Sequence, residues 1–146
     1  MQIRNAVKAV IIEEDKVLLI KHQGNYYTFP GGGQDHNESI HEALKRECLE
    51  EIGAQVEVNE LIYITEYMAD RHEGSIHQAG FHQVDLFFRC KRVSGFNNPV
   101  EIDDTQVGFE WVDLDQLEAI ALYPLAIRDR LMEVDDDKRF YLGVVR

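Results

Sequence analysis

Three carboxylates, Glu47, Glu50 and Glu51, fall within five residues of one another, at the spacing that stacks side chains along one side of a helix. The surrounding residues predict that helix. Ser39 followed by Glu42 forms a capping box, and Gly53 supplies a left-handed residue just past the end. The acids therefore crowd the negative end of the helix dipole, where cations are favoured. At about 100° per residue, Ile40, Ala43, Leu44, Cys48 and Ile52 form an apolar arc. Glu47 and Glu51 fall inside this arc and Glu50 at its margin. Like charges so placed repel, and burying them costs more still. A hard divalent cation is the natural compensation for an oxygen-only donor set; the alternative is a solvated acidic helix end.

The residues before the helix favour the cation. Phe29-Pro30-Gly31-Gly32-Gly33 closes a short aromatic stretch and leads through Gln34-Asp35-His36-Asn37 into Glu38. Proline fixes the approach, and glycines let the backbone come close to a ligand. Counting onward, Gly32 is followed after five residues by Glu38 and after seven more by Arg46. Then come Glu47, apolar Cys48, Leu49, Glu50, Glu51, Ile52, Gly53 and apolar Ala54. This register, G-x5-E-x7-R-E-U-x-E-E-x-G-U with U apolar, resembles the signature of the Nudix hydrolase family. It occupies residues 32–54 with all specified positions matched. Phe109-Glu110-Trp111-Val112-Asp113-Leu114 and Leu117 are similar to that family's closing strand and helix, so the likeness covers the chain.

The resemblance implies an α+β fold, an α/β/α sandwich around a mixed β-sheet, formed by residues 1–146 as a single domain. It implies a Mg²⁺- or Mn²⁺-dependent enzyme hydrolysing the pyrophosphate linkage of a small nucleoside diphosphate derivative by attack of metal-activated water on phosphorus. By the same resemblance Glu47 and Glu51 are the principal metal ligands, Glu50 is a further ligand or an acid/base group, and a backbone carbonyl near Gly32 completes the set. Such a reaction needs charge neutralisation and positioning above all. Arg46 suits the orientation of a box carboxylate, since a guanidinium grips carboxylates bidentately, and Glu38 is read as support for the loop. The general base comes from the box or from a later loop. Downstream, Asp104 and Asp103 are the best carboxylates and Glu101 the third, against a merely solvated acidic loop. A Nudix-like domain that binds a nucleotide metabolite as a sensor without turnover is the alternative function.

Selectivity must come from residues outside the box. Tyr26, Tyr27 and Phe81 are candidates to stack on a base, and Arg71 and His82 to line the pocket; aromatic residues at such positions also serve as core. The six histidines do not form a close helical pair of the kind a zinc site prefers, since His36/His41 and His77/His82 are each five apart. Asn37 stands where the family's loop often has glycine, and asparagine tolerates the same left-handed backbone.

These residues need a frame. Residues 7–12 and 17–20 read as a β-hairpin turning at Asp15, and 26–29 as a short strand. The helix covers 40–52. Residues 56–67 read as extended, 68–80 as a polar loop, and 84–90 as a half-buried strand. A loop over 94–104 precedes a strand at 108–112. Asp113 then caps a short helix reaching Leu117, Pro124 opens a last helix to about Val134, and 140–145 form a strand or tail.

With 45% hydrophobic and 29% charged residues in 146, the chain is globular and long enough for a real core. It has no run approaching the roughly 18 apolar residues a membrane span requires and no secretory leader, so a cytoplasmic protein without a membrane partner is expected. Cys48 and Cys90 stand among apolar neighbours and read as reduced core thiols. A net charge of −12 without a basic stripe disfavours large nucleic acids but not a small phosphorylated substrate whose cation reverses the local field. Leu49, opposite the apolar arc, favours a homodimer over a single exposed leucine.

Overall fold

The computed structural model describes residues 2–72, 74–75, 77–93, 106–132 and 140–145. Strand β1 (Arg4–Glu13) organises it. Successive side chains alternate between faces. Val7, Ala9 and Ile11 join one buried cluster, while Val10 joins another. A two-residue turn at Glu14 and Asp15, both at positive φ, returns the chain into β2 (Lys16–His22), as the twist of a hairpin requires. β3 (Tyr26–Thr28) follows.

The glycine run, whose composition suits a loop, is a strand. Gly31–Gly33 forms a short strand, β4, paired antiparallel with β1. The helix α1 (Ile40–Ile52) has the predicted bounds, with reciprocal Ser39 and Glu42 caps and a left-handed Gly53 at φ 63°. Asn37 adopts φ 64°, the backbone its side chain tolerates.

β5 (Val56–Met68) and β6 (His82–Arg92) run longer than expected, and a 3₁₀ turn (Ala69–Arg71) opens the connection between them. β7 (Gln106–Asp113) leads into a second 3₁₀ segment (Leu114–Ala119), whose start Asp113 does not cap through its side chain. α2 (Leu125–Met132) and β8 (Tyr141–Val144) complete the described elements; Val134 lies outside them.

The sheet is mixed. β6 runs parallel to β1, β5 antiparallel to β6, and β8 parallel to β5. β2 carries β3 and the end of β1 on one edge and β7 on the other. One face packs Ala43, Leu44, Cys48 and Ile52 of α1. The other packs Leu117 of the second 3₁₀ segment and Ile127 of α2. Helices on both faces of a mixed sheet make the expected α/β/α sandwich. Cys48 and Cys90 are free thiols in the α1-side core. Among the described residues no helix is long and apolar enough to cross a membrane.

Candidate active site

The carboxylates of α1 meet the glycine strand. Gly31 has φ 141°, and a Cβ there would fall 1.9 Å from the Val7 carbonyl oxygen. Only glycine lets β4 lie this close to β1. A Cβ on Gly32 would fall 2.6 Å from the Glu47 carboxylate. The glycines thus bring backbone directly against the acids.

Glu51 is 5% exposed. Its Oε1 accepts the Gly31 amide at 2.7 Å, and its Oε2 accepts a hydrogen bond from the Gln106 side chain. Burial pushes its carboxyl up to about 7; the Lys8 charge and the Gly31 and Gln106 bonds oppose that rise, and Glu47 adds to it. Burial also raises Glu47, against Arg46 and Lys8, with Glu50 adding to the rise. Burial therefore disfavours the charged form of both neighbouring carboxylates by more than Arg46, Lys8 and the Gly31 and Gln106 bonds offset.

Arg46 gathers the remaining acids. Its Nε and Nη2 donate to the two oxygens of Glu38 at 2.7 and 3.0 Å. Nη1 donates to Glu47 at 3.1 Å and to Glu50 Oε2 at 3.2 Å, while Nη2 also reaches the Gly33 carbonyl at 3.0 Å. Asp35 lies 3.5 Å away. The Glu38 contacts hold the guanidinium firmly protonated, and Arg46 holds Glu38 below the usual carboxylate range. Glu38 also accepts the Asp35 amide, so it braces the loop between β4 and α1.

This donor set fits a hard divalent cation in its chemistry: oxygen only, with more carboxylates than the single guanidinium can neutralise. Among the described residues no three His, Cys, Asp or Glu side chains are already gathered as a chelate. Glu50 rests on Arg46, and Glu51 is turned to Gly31 and Gln106.

The candidate pocket residues disperse. Phe81 stacks on His77 with centroids 4.4 Å apart, and Tyr67 meets both rings edge-on. Tyr26 stacks on His22, a ladder partner of Gln106, whose side chain bonds Glu51. Tyr27 instead packs against the α2-side core and donates its hydroxyl to Glu110. His82 bonds Glu66 at 2.9 Å and points to the face opposite Gln83. Arg71 is exposed at the end of its 3₁₀ turn. The structure does not bring these last three to the carboxylates. Asp103, Asp104 and Glu101 lie outside the described residues.

Sequence reasoning missed Gln106 and Lys8. Lys8 carries a signal, a charge inside the otherwise apolar run 6–12. Gln106 carries none, because its place depends on how β7 pairs with β2.

Residues 2–132 match the model of the NUDIX domain. The chain belongs to the Nudix family. It is 31% identical over 144 residues to a protein named nucleoside triphosphatase NudI from Salmonella paratyphi B, covering 89% of this chain and 94% of that one. A NUDIX hydrolase from Nitrosomonas europaea superposes with a TM-score of 0.75 at 24% identity, covering 97% of this chain and 94% of the other. An ADP-ribose pyrophosphatase from Streptococcus suis superposes at 0.67 with 22% identity, covering 98% of each. At that identity the two structures speak for the fold alone. The protein is a Nudix hydrolase.

Proposed function

We propose that this Nudix enzyme hydrolyses the pyrophosphate linkage of a small nucleoside diphosphate derivative, with a nucleoside triphosphate the first candidate. Nucleotide sugars and ADP-ribose belong to the same class. The observation that carries the reading is Glu51, a nearly sealed carboxylate held on the Gly31 amide beside Glu47. A nearly sealed acid beside a half-buried one, in a family of phosphoanhydride hydrolases, asks for a cation. The similarity to a protein named as a nucleoside triphosphatase supports the substrate class.

Glu47, Glu50, Glu51 and the Gly32 carbonyl are the groups that would hold Mg²⁺ or Mn²⁺. When bound, such an ion neutralises phosphate oxygens and acidifies water. The rest falls to the chain. Arg46 is a positioning residue: it fixes Glu47 and Glu50 relative to Glu38 and Gly33. Lys8, whose charge bears on Glu47 and Glu51, offsets the anionic oxygens of a polyphosphate. Glu50 is the box's candidate for accepting a proton from water, with Asp104 the downstream one.

Turnover of nucleoside triphosphates, nucleotide sugars, ADP-ribose and dinucleoside polyphosphates, with Mg²⁺ and with Mn²⁺, tests the proposal. Cation-dependent hydrolysis of at least one class is expected. Binding without turnover across the panel would instead indicate a sensor. The reading includes a homodimer through the helix face bearing Leu49, which is 44% exposed; a monomer mass by light scattering at all concentrations would remove that part.

A further inference from the structure

Residues paired across a ladder share a face of the sheet, so the register maps the surface beside the carboxylates. Three rows run across β4, β1, β6 and β5 on the face away from α1. The first contains Arg4, Gln83 and Tyr67; the second Gly33, Ala6, Asp85 and Thr65; the third Gly31, Lys8, Phe87 and Tyr63. The third row enters the α2-side core through Phe87 and Tyr63. The second begins with no side chain and a single methyl, a low floor between the Arg4 and Lys8 rows on which Ala6 is 1% exposed, and it runs on to Asp85 and Thr65.

Asp85 is 6% exposed. Among the described residues its one hydrogen bond comes from Gln83, at 2.7 Å to Oδ1. That is poor provision for a buried carboxylate. Two other acids of this chain are gripped by forks: Glu13 by Arg92, with two bonds of 3.0 Å, and Glu38 by Arg46. No fork grips Asp85. Arg4 spends its Nη1 on Gln83 at 3.0 Å and lies over Gly33. Lys8 pairs with Gly31, whose amide holds Glu51, and stands in the row beside that of Asp85, so the floor borders the acids. The stacked His77 and Phe81 rings, with Tyr67, stand at its rim.

Resting on the hydrolase reading above, we propose that Asp85 is the specificity-determining acceptor for the substrate's base, receiving a hydrogen bond from an exocyclic amino group while Phe81 and His77 offer a stacking surface. The selected class is then the amine-bearing bases, discriminated from bases with a carbonyl or hydrogen at that position. A buried acceptor with a single hydrogen bond rejects a ligand that lacks the donor more strongly than it rewards one that has it.

The test compares kcat/KM for CTP against UTP and GTP against ITP, pairs that differ at an amino group, in the wild type, Asp85→Asn and Asp85→Val. Each ratio is taken within one protein, so any loss of folded enzyme cancels. At least one pair is expected to favour the amine roughly tenfold to a hundredfold in the wild type, the range for a hydrogen bond to a charged group. The ratio should shrink in Asp85→Asn and approach one in Asp85→Val. A wild-type ratio near one in both pairs, or a ratio unchanged in Asp85→Val, overturns the proposal. If no triphosphate is turned over, the hydrolase reading fails for that class, and titration of CMP against UMP and GMP against IMP reads Asp85 separately. Tighter binding of an amine-bearing partner, lost in Asp85→Val, then supports the assignment, and equal affinities overturn it.

Discussion

The Gly31 amide donates to Glu51 Oε1 at 2.7 Å, joining residues twenty apart in sequence. The bond ties the last turn of α1 to the strand that lies against β1. It places an acid where it is nearly sealed from solvent yet adjacent to glycine backbone that carries no side chain of its own. Gly31 can serve this role because its φ of 141° and its distance from Val7 exclude every other residue.

Gly31→Ala and Gly32→Ala should therefore fail differently. At Gly31 a methyl collides with backbone, and thermal or urea unfolding should show a loss of at least about 2 kcal/mol. At Gly32 the methyl meets only the movable end of Glu47. That variant should stay folded and lose activity about tenfold or more. Equal melting temperatures for the two alanine variants would show that the close approach of β4 to β1 is not a constraint.

Burial lifts Glu51 from 4.5 to about 7. The metal-free folded state thus holds this proton more tightly than the unfolded chain does. Stability should fall as pH rises from about 4.5 to about 7, then level off, by roughly 3 kcal/mol at about 1.4 kcal/mol per unit. Asp85 is also raised by burial and acts in the same direction. Glu13 and Glu38 are lowered, by Arg92 and Arg46, so their contributions are lost only below about 4.5. Urea unfolding in chelator, with Glu51→Gln for comparison, isolates the Glu51 part. A wild-type slope no steeper than that of Glu51→Gln would contradict it.

Arg46→Lys keeps the charge and loses the fork that spans Glu38, Glu47 and Glu50. We expect kcat to fall about tenfold to a hundredfold, the range for residues that orient ligands, with KM changed much less. A lysine variant with full kcat would reduce Arg46 to a surface charge.

Phe81→Ala should change the ranking of substrates, because its ring stands at the open rim with His77. Tyr27→Ala should lower stability, since its ring packs against the α2-side core. Measuring both variants across one substrate panel, with melting curves, separates the roles. A changed ranking in Tyr27→Ala at unchanged stability would place that ring in the pocket after all.

The residues show why some of this was legible in sequence. The caps and bounds of α1 rest on local chemistry, Ser39 with Glu42 and Gly53, and were readable. So was the conflict of Glu47 and Glu51 with an apolar face. The glycine run reads as a loop because glycine has low strand propensity, yet the close approach to β1 makes it a strand. Asp85 reads as the outward residue of a half-buried strand, although tertiary packing covers that face. His82 and Tyr27 are of types that suit a pocket, but strand alternation turns the first away and core packing takes the second. Gln106 reaches Glu51 only through the pairing of β7 with β2, which no local pattern encodes.

The claim that the α1 carboxylates form a cation site is tested most directly by titrating Mn²⁺ into the wild type, Glu47→Gln and Glu51→Gln, following free Mn²⁺ by electron paramagnetic resonance, with turnover assayed on the same samples. The wild type should bind Mn²⁺ and gain thermal stability by linkage. Each glutamine variant should lose most of that binding and on the order of 10²–10³ in kcat on every substrate alike, while remaining folded. Undiminished Mn²⁺ binding and turnover in both variants would contradict the assignment.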